Sequence, residues 1–384
     1  MFSGFILFVL ILPVSKFYFF ESGLRWLYIF FFSFIASYFI TPFFRTIALK
    51  LNVLDGPNWR KMHDRSTPLL GGTAVYFAFT ASLMFNNIFL TGMTSLLIGS
   101  SLILIMGLID DIKPIPPMIK LAVQVIITLM VVLKGGIQLT LFYNTPWADY
   151  INVPITVLWI TGLTNGMNFF DGMDGLAASL SIIIASFLGI IAFETNQPAL
   201  GWFSVALAGS CMGFLPHNFR FGKSARLFLG DAGSTFLGFT LAGLAVLGKW
   251  SNTSHFVSLT APILIFGILI FDMVYVNLSR IKNRQAGSFI ELLTCANKDH
   301  LHHRLFIMGF SPKEVVYIIS LMSACLGVSA LIIMKQNVTE ALLGLLQSAM
   351  IIGLIIILML KGREKVVPGN ERRGLKRRKE DRIN

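Results

Sequence analysis

Charge is what this sequence lacks. Asp, Glu, Lys and Arg make up 13% of its 384 residues, about half the share found in an ordinary soluble protein. Acids are the scarcer sign, 19 against 31 Lys and Arg. Such a composition excludes a soluble globular enzyme and a disordered chain. Cysteine is almost absent: Cys211, Cys295 and Cys325 are scattered, with no CxxC pair, so there is no disulfide framework. No internal repeat is visible, and the inverted-repeat signature of many transporters is missing with it. There is also no G-x-x-x-x-G-K-[ST] stretch, which excludes a P-loop ATPase.

Apolar residues are what is present, at 55% of the chain, with 35 Phe. They lie in long charge-free runs such as 66–109, 150–170, 195–219 and 341–360. These runs are continuous rather than alternating, which points to helices and away from a β-barrel. The expectation is an all-α polytopic membrane protein of 11 or 12 spans, near 4–20, 26–48, 70–88, 92–109, 117–134, 152–168, 175–193, 200–217, 234–249, 258–279, 315–334 and 341–360. Lys16 interrupts the first, so a cleaved signal or an interfacial helix is the alternative there. Residues 1–360 read as a single transmembrane catalytic domain, and 361–384 as a basic tail.

The loops between spans separate by charge. One set, 49–69, 110–116, 169–174, 218–233, 280–314 and 361–384, holds nearly all the Lys and Arg; the other set has Lys335 alone, with Lys134 and Lys249 at its margins. The positive-inside rule makes the first set cytoplasmic. The tail carries ten Lys/Arg and four Asp/Glu, half of the net +12. It reads as a topology-fixing tail, or else as a patch for anionic lipid; without stacking aromatics it does not read as a nucleic-acid site.

The few acids that sit at helix ends deep in the apolar sequence fall at the cytoplasmic ends, and ionisable groups at such depth are functional candidates. Asp110-Asp111, followed by three prolines and Lys120, suits a metal site or a general base, because two adjacent carboxylates need a cation nearby; a charged helix cap is the simpler alternative. In Asn165-Gly-Met-Asn168-Phe-Phe-Asp171-Gly-Met-Asp174-Gly, three-residue spacing would put four oxygen-bearing side chains along one helix face. In Phe228-Leu-Gly-Asp231-Ala-Gly-Ser234, Ser234 is a candidate N-cap, the free amides suit phosphate, and Asp231 would bring a hard cation such as Mg²⁺. Asp299-His300-Leu-His302-His303-Arg304 reads as an anion-binding loop. Asp272 lies eight residues before Arg280, roughly 12 Å up a helix. It either supports the site or makes a buried hydrogen bond.

Carboxylates, small residues at a helix start and a His/Arg cluster on one face imply Mg²⁺-assisted chemistry on a phosphate, with one soluble nucleotide substrate and one lipid substrate. A secondary transporter for an anionic solute would instead need polar groups at mid-membrane, where only Asp272 fits. A non-catalytic scaffold would tolerate loss of Asp110, Asp171 and Asp231.

Lys61-Met-His63, Thr67-Pro68-Leu-Leu-Gly71-Gly72, Asp110-Asp111 with Lys120, the Asn165–Gly175 stretch, Phe228–Ser234, Asp272 and His300-Leu-His302-His303 occur in that order. Together they resemble the polyprenyl-phosphate N-acetylhexosamine-1-phosphate transferases, the family of MraY and WecA. The HxHH pattern, broken by Leu301, is similar to the WecA-type branch. That resemblance implies a bacterial cytoplasmic-membrane enzyme with its active site facing the cytoplasm, using undecaprenyl phosphate and UDP-N-acetylglucosamine. It would make undecaprenyl-diphospho-GlcNAc and UMP, the first lipid-linked step of O-antigen or another envelope glycan.

The resemblance also implies roles. Asp231 and Asn168 would hold Mg²⁺, with Mn²⁺ as the alternative. Asp110, with Asp111 beside it, would deprotonate or position the lipid phosphate, and Lys120 would neutralise a phosphate. Asp174 would bond the uracil and Phe228 stack on it, with Asp171 on the same nucleotide side. His300, His302, His303 and Arg304 would line the diphosphate and sugar, and Lys61 and Asn165 would join the substrate site. A homodimer is compatible with the family. Where WecA-type chains have an Asp three residues before the first His, this one has Asn297, which leaves another UDP-N-acetyl sugar, or MraY-like UDP-MurNAc-pentapeptide, as the alternative donor.

Overall fold

A computed structural model describes residues 10, 12–56, 66–142, 145, 147–251, 255–282, 299–334 and 338–380, with the backbone alone at 91, 255–256, 338 and 362–380. Among them the chain is nearly all helix. In order, the helices are α1 (Pro13–Glu21), α2 (Arg25–Lys50), α3 (Gly71–Phe85), α4 (Thr91–Ile112), α5 (Pro117–Gly135), α6 (Ala148–Phe170), α7 (Leu176–Glu194), α8 (Pro198–Asn218), α9 (Gly230–Leu247), α10 (His255–Ile265), α11 (Gly267–Lys282), α12 (Leu301–Ile307), α13 (Pro312–Met334) and α14 (Val338–Glu380). One short ribbon pairs β1 (Leu54–Asp55) antiparallel to β2 (Thr67–Pro68). Prolines open α1, α5 and α8, positions where the missing N–H has no helical partner to lose.

Eight of the described helices are long and apolar enough to cross a membrane, and a bent pair would make nine. The described helices depart from the expected spans at identifiable places. The predicted 4–20 span is represented by α1, nine residues long. The 70–88 span contracts to the 15 residues of α3. The 258–279 span is broken: α10 and α11 meet at 76° around Phe266, beside Pro262 and Gly267, the residue types that interrupt helices. Helix α14 runs past the last apolar stretch to Glu380. Lys61, Cys295 and Asn297 lie outside the described residues.

Helix α9 is the centre of the bundle. Its apolar window is 89% buried, against 22% for α14. In a bilayer the lipid tails are as apolar as the core, so helices associate through close van der Waals contact rather than hydrophobic expulsion, and small residues mark the contacts. A β-carbon on Gly72 of α3 would lie 2.0 Å from the Gly233 Cα of α9, and one on Gly107 of α4 would lie 2.4 Å from the Ala232 Cα. Both crossings therefore tolerate nothing larger than glycine.

Backbone pairing fixes the same corner. Phe228 N–H donates to the Pro68 carbonyl, Gly71 N–H to Phe228 and Gly72 N–H to Leu229, at 2.8–2.9 Å. Leu70, between them, is held at φ +82°, a left-handed conformation that is costly for a branched residue and persists only where its surroundings dictate it. The Thr67–Gly72 and Phe228–Ser234 stretches are thus two strips of one structure, and they present the start of α9 to the ends of α4, α5 and α6.

Candidate active site

The site is built around the first turn of α9. Asp231 comes from that turn, Asp110 from the last turn of α4 and Lys120 from the first turn of α5. The Lys120 ammonium bridges the other two: it forms an ion pair with Asp110 and donates to Asp231 Oδ2 at 3.1 Å. Asp110 is buried and its other oxygen accepts from Ile115 N–H at 2.7 Å, so the proline turn after α4 orients it. Asp231 keeps 41% of its side chain exposed. Asn168 of α6 donates Nδ2–H to Asp231 Oδ1 at 3.1 Å and to Ser234 Oγ at 2.9 Å. Four residues predicted from three separated stretches, and carried on four helices, therefore converge.

Asp111 does not join them. Its oxygens accept the backbone N–H of Asp231 at 2.8 Å and of Ala232 at 3.1 Å. It caps α9 from another helix, adding negative charge where the dipole favours it. The expected place beside Asp110 at a phosphate is corrected accordingly: adjacent residues on α4 point to different partners because helical neighbours diverge by about 100°. Ser234, the expected cap, lies within α9 and donates back to the Gly230 carbonyl at 3.1 Å.

The Asn165–Asp174 stretch follows a single helix face only in part. Asn165 and Asn168 are on α6, but the helix ends at Phe170, and Asp171 to Gly175 form the turn into α7. Asn165 faces away from the acids, donating to Gln124 Oε1 at 2.7 Å and to the Thr161 carbonyl at 2.8 Å. Asp174 accepts from Ala225 N–H at 3.0 Å, which ties the turn to the segment leading to Phe228. Phe228 is half-buried beside it. The Asp171 carboxylate has no hydrogen bond or ion pair among the described residues, while its backbone N–H donates to the Asn168 carbonyl at 3.2 Å; burial first, then the negative charge of Asp231, Asp111, Asp174 and Asp55, raises the carboxyl well above the usual range.

The histidines form a second centre at the same end of α6. His300 stacks on Phe169 with ring centres 5.1 Å apart. His302 is fully buried, 5.6 Å from the Phe170 ring and 4.2 Å from His303. A β-carbon on Gly172 would lie 2.9 Å from His302 Nε2, so the absence of a side chain there lets the imidazole reach the Asp171–Asp174 turn. Among the described residues, both nitrogens of His302, and Nε2 of His300, are buried without a partner. Burial, then His303 and His300, hold His302 well below its ordinary pKa, so it is a neutral ring with an N–H to give. Arg304 departs from expectation. Its Nε donates to the Asp299 carbonyl and its Nη1 to the Met359 carbonyl, both at 2.7 Å, so it fastens α12 to α14.

A cavity of about 410 Å³ opens between α5, α6 and α11. Its walls are apolar, including Leu121, Val125, Val157 and Met273, and its polar residues include Asn165, Arg280 and His300. Arg280 is buried and donates Nε–H to Asp299 at 3.3 Å.

Two positioning residues escaped the sequence reading. Gln124 is buried against Asn165, and Asn218 accepts from Gly175 N–H at 2.7 Å while donating to the Leu227 carbonyl at 3.0 Å. Both are amides in apolar spans. The depth argument that singled out charges would have found them had it been extended to uncharged polar groups. Asp272, left open between two readings, bonds to His300. It was also the one residue suited to a transporter, and both its oxygens are taken by the histidine segment.

Comparisons with known proteins agree with this geometry. Residues 93–249, from α4 to α9, match the model of glycosyl transferase family 4. A Bacillus subtilis protein named "Probable undecaprenyl-phosphate N-acetylglucosaminyl 1-phosphate transferase" is 32% identical over 83% of this chain and 87% of its own. The decaprenyl-phosphate N-acetylglucosaminephosphotransferase of Mycolicibacterium smegmatis is 29% identical over 85% and 86%, and the undecaprenyl-phosphate alpha-N-acetylglucosaminyl 1-phosphate transferase of Yersinia pestis 25% over 80% and 82%. With the acid–lysine centre inside the matched region and relatives spanning most of both chains, the protein belongs to glycosyl transferase family 4.

Proposed function

We propose that this membrane enzyme transfers N-acetylglucosamine 1-phosphate from UDP-GlcNAc to undecaprenyl phosphate, releasing UMP, as the first lipid-linked step of an envelope glycan such as O-antigen. The observation that carries the reading is the Asp110–Lys120–Asp231–Asn168 centre beside an apolar cavity whose polar residues include Asn165, Arg280 and His300. The apolar walls suit a polyprenyl chain and the cations its phosphate. The names of the relatives support undecaprenyl phosphate as acceptor and N-acetylglucosaminyl 1-phosphate as the group moved. The positive-inside charge pattern supports a bacterial cytoplasmic membrane with the site facing the cytoplasm.

In this reading a lipid phosphate oxygen forms a bond to the β-phosphorus of the nucleotide sugar while the bond from that phosphorus to the bridging oxygen breaks and UMP leaves. Both reactants are anions, so the chain's main task is to neutralise charge at fixed positions. Asp110 takes or orients the proton of the attacking phosphate. Lys120 offsets the developing negative charge. His300, His302 and His303 donate to diphosphate and sugar oxygens, and Asp174 and Phe228 hold the uracil, with Asp171 alongside. The hard carboxylate of Asp231 fits Mg²⁺, which takes few protein ligands and completes its shell with phosphate and water, and Asn168, whose Nδ2–H meets Asp231 here, would join it by turning its amide oxygen to the ion; Lys120 between two carboxylates marks a point where a cation is stable. When bound there, Mg²⁺ would polarise the diphosphate.

The test is UMP release by the purified full-length protein with undecaprenyl phosphate and a panel of UDP-sugars. UDP-GlcNAc should be turned over fastest, with EDTA abolishing release and Mg²⁺ restoring it. Faster turnover of another UDP-N-acetyl sugar would reassign the donor. No release from any of them would overturn the reading.

A further inference from the structure

Asp272 is fully buried in α11, the second half of the broken span. An isolated carboxylate at such a position is costly, and its partners are therefore informative. Oδ2 is 2.6 Å from His300 Nδ1, and Oδ1 accepts the N–H of Leu301 at 2.7 Å. One side chain thus holds two consecutive residues of the histidine segment. Phe169, stacked on the imidazole with an interplanar angle of 26°, leaves the ring little freedom to turn.

The hydrogen bond decides which nitrogen carries a proton. An ionised carboxylate only accepts, so with Asp272 as the carboxylate Nδ1 is the donor. The other nitrogen, Nε2, is then left for the cavity that His300 lines, and it is buried with no partner among the described residues. A ring that donates from Nδ1 to Asp272 and from Nε2 to a phosphate oxygen is an imidazolium, and its counter-charge is already in place. The resulting bond to the anion is charge-assisted, about twice as strong as a neutral one. Asp272 also spans a joint in the fold, because Leu301 begins α12 and the broken span ends at Lys282.

We propose that Asp272 is a positioning residue for phosphoryl transfer. By holding Nδ1–H of His300 it fixes the tautomer, rotamer and charge with which Nε2 meets a phosphate oxygen of the substrate. The proposal rests on the transferase reading above, in which His300 binds phosphate.

The test compares Asp272→Asn, His300→Gln and the double variant in the full-length protein. Asparagine preserves size and can still accept from Leu301, but it presents an N–H to Nδ1 and so reverses the tautomer. Removing a group that sets a histidine's tautomer costs roughly 10- to 100-fold in activity, and we expect that loss in kcat, with a smaller change in KM. The two substitutions should not add: in the His300→Gln background, Asp272→Asn should change kcat less than twofold. A purely structural role predicts full additivity, and that result, or wild-type kcat in Asp272→Asn, would overturn the proposal. The ¹⁵N resonances of His300 give a readout independent of turnover and of whether the variant folds. In the wild type Nδ1 should be protonated, and an Nε2–H, Nδ1-bare ring would sink the idea. If the wild type releases no UMP, the transferase reading fails while the tautomer measurement still decides the positioning.

Discussion

The two centres at the end of α6 solve the problem of holding charge in a membrane in opposite ways. The carboxylate centre is closed upon itself: Asp110, Lys120, Asp231, Asn168 and Ser234 satisfy one another in an unbroken chain of contacts. The histidine centre is secured from behind, by Asp272 on His300 and by the carbonyls of Asp299 and Met359 on Arg304, while the imidazole nitrogens of His302 and Nε2 of His300 stay buried and, among the described residues, unpartnered. A paired centre is stable before substrate arrives and must exchange partners to act. An unpaired one carries the desolvation cost of its donors in the resting protein and recovers it when an anion binds. The first therefore reads as the place where charge is rearranged, and the second as the place where charge is received.

The largest expected effect breaks the first centre. Asp231→Asn should lower UMP release by on the order of 10³-fold, the scale of losing a group aimed at developing charge, while thermal unfolding in detergent barely moves, because Asp111 still caps α9. Large losses of both would make Asp231 structural. Asp111→Ala should show the reverse emphasis. It leaves the amides of Asp231 and Ala232 without their acceptors and should cost about 1–3 kcal/mol of stability, measured as a lowered unfolding midpoint. An unchanged midpoint would refute the cap.

A smaller effect tests the second centre. Gly172→Ala places a methyl 2.9 Å from His302 Nε2, and a shift of the ring by a few tenths of an ångström should reduce kcat/KM roughly tenfold, within the range attributed to misplaced groups. Wild-type kinetics would show that His302 does not meet substrate across this turn.

The smallest effects are in pH, where Asp171 and His302, two groups near the centres, should part in sign. Asp171 is raised in the folded state, so its contribution to stability is full below about pH 3.9, the unfolded value, and is lost as pH rises. Asp171→Asn should therefore gain on the wild type in unfolding midpoint as pH goes from 5 to 8 without divalent metal. His302 is lowered, so its neutral ring favours folding above about pH 6.5, and that advantage is lost on acidification. His302→Gln should gain on the wild type as pH falls below 6.5. Parallel slopes for the two variants would contradict the opposite shifts of Asp171 and His302.

Particular residues show where sequence reading succeeds and where it stops. Asp110, Lys120, Asn168 and Asp231 were visible because charges and amides at the ends of apolar runs are rare. The division of labour between Asp110 and Asp111 was not, because it depends on the rotation of α4 against α9, which Gly107 and Ala232 permit. Asn165 and Asp174 fit a helical face on paper, but the helix ends between them at Phe170. Arg304 looked like a substrate ligand because its neighbours are histidines, and its partner Met359 is 55 residues away.

The sequence by itself determined that the chain is a helical membrane protein, where most of its helices lie, and which stretches hold its reactive groups. Those follow from the length of apolar runs and the cost of charge in lipid, both local properties. Only the tertiary structure decided which groups meet. The pairs Lys120–Asp231, Asp111–Asp231 and Asp272–His300 join residues 111, 120 and 28 positions apart. A hydrogen bond tolerates only a few tenths of an ångström, a precision set by how closely helix backbones cross rather than by any pattern along the chain.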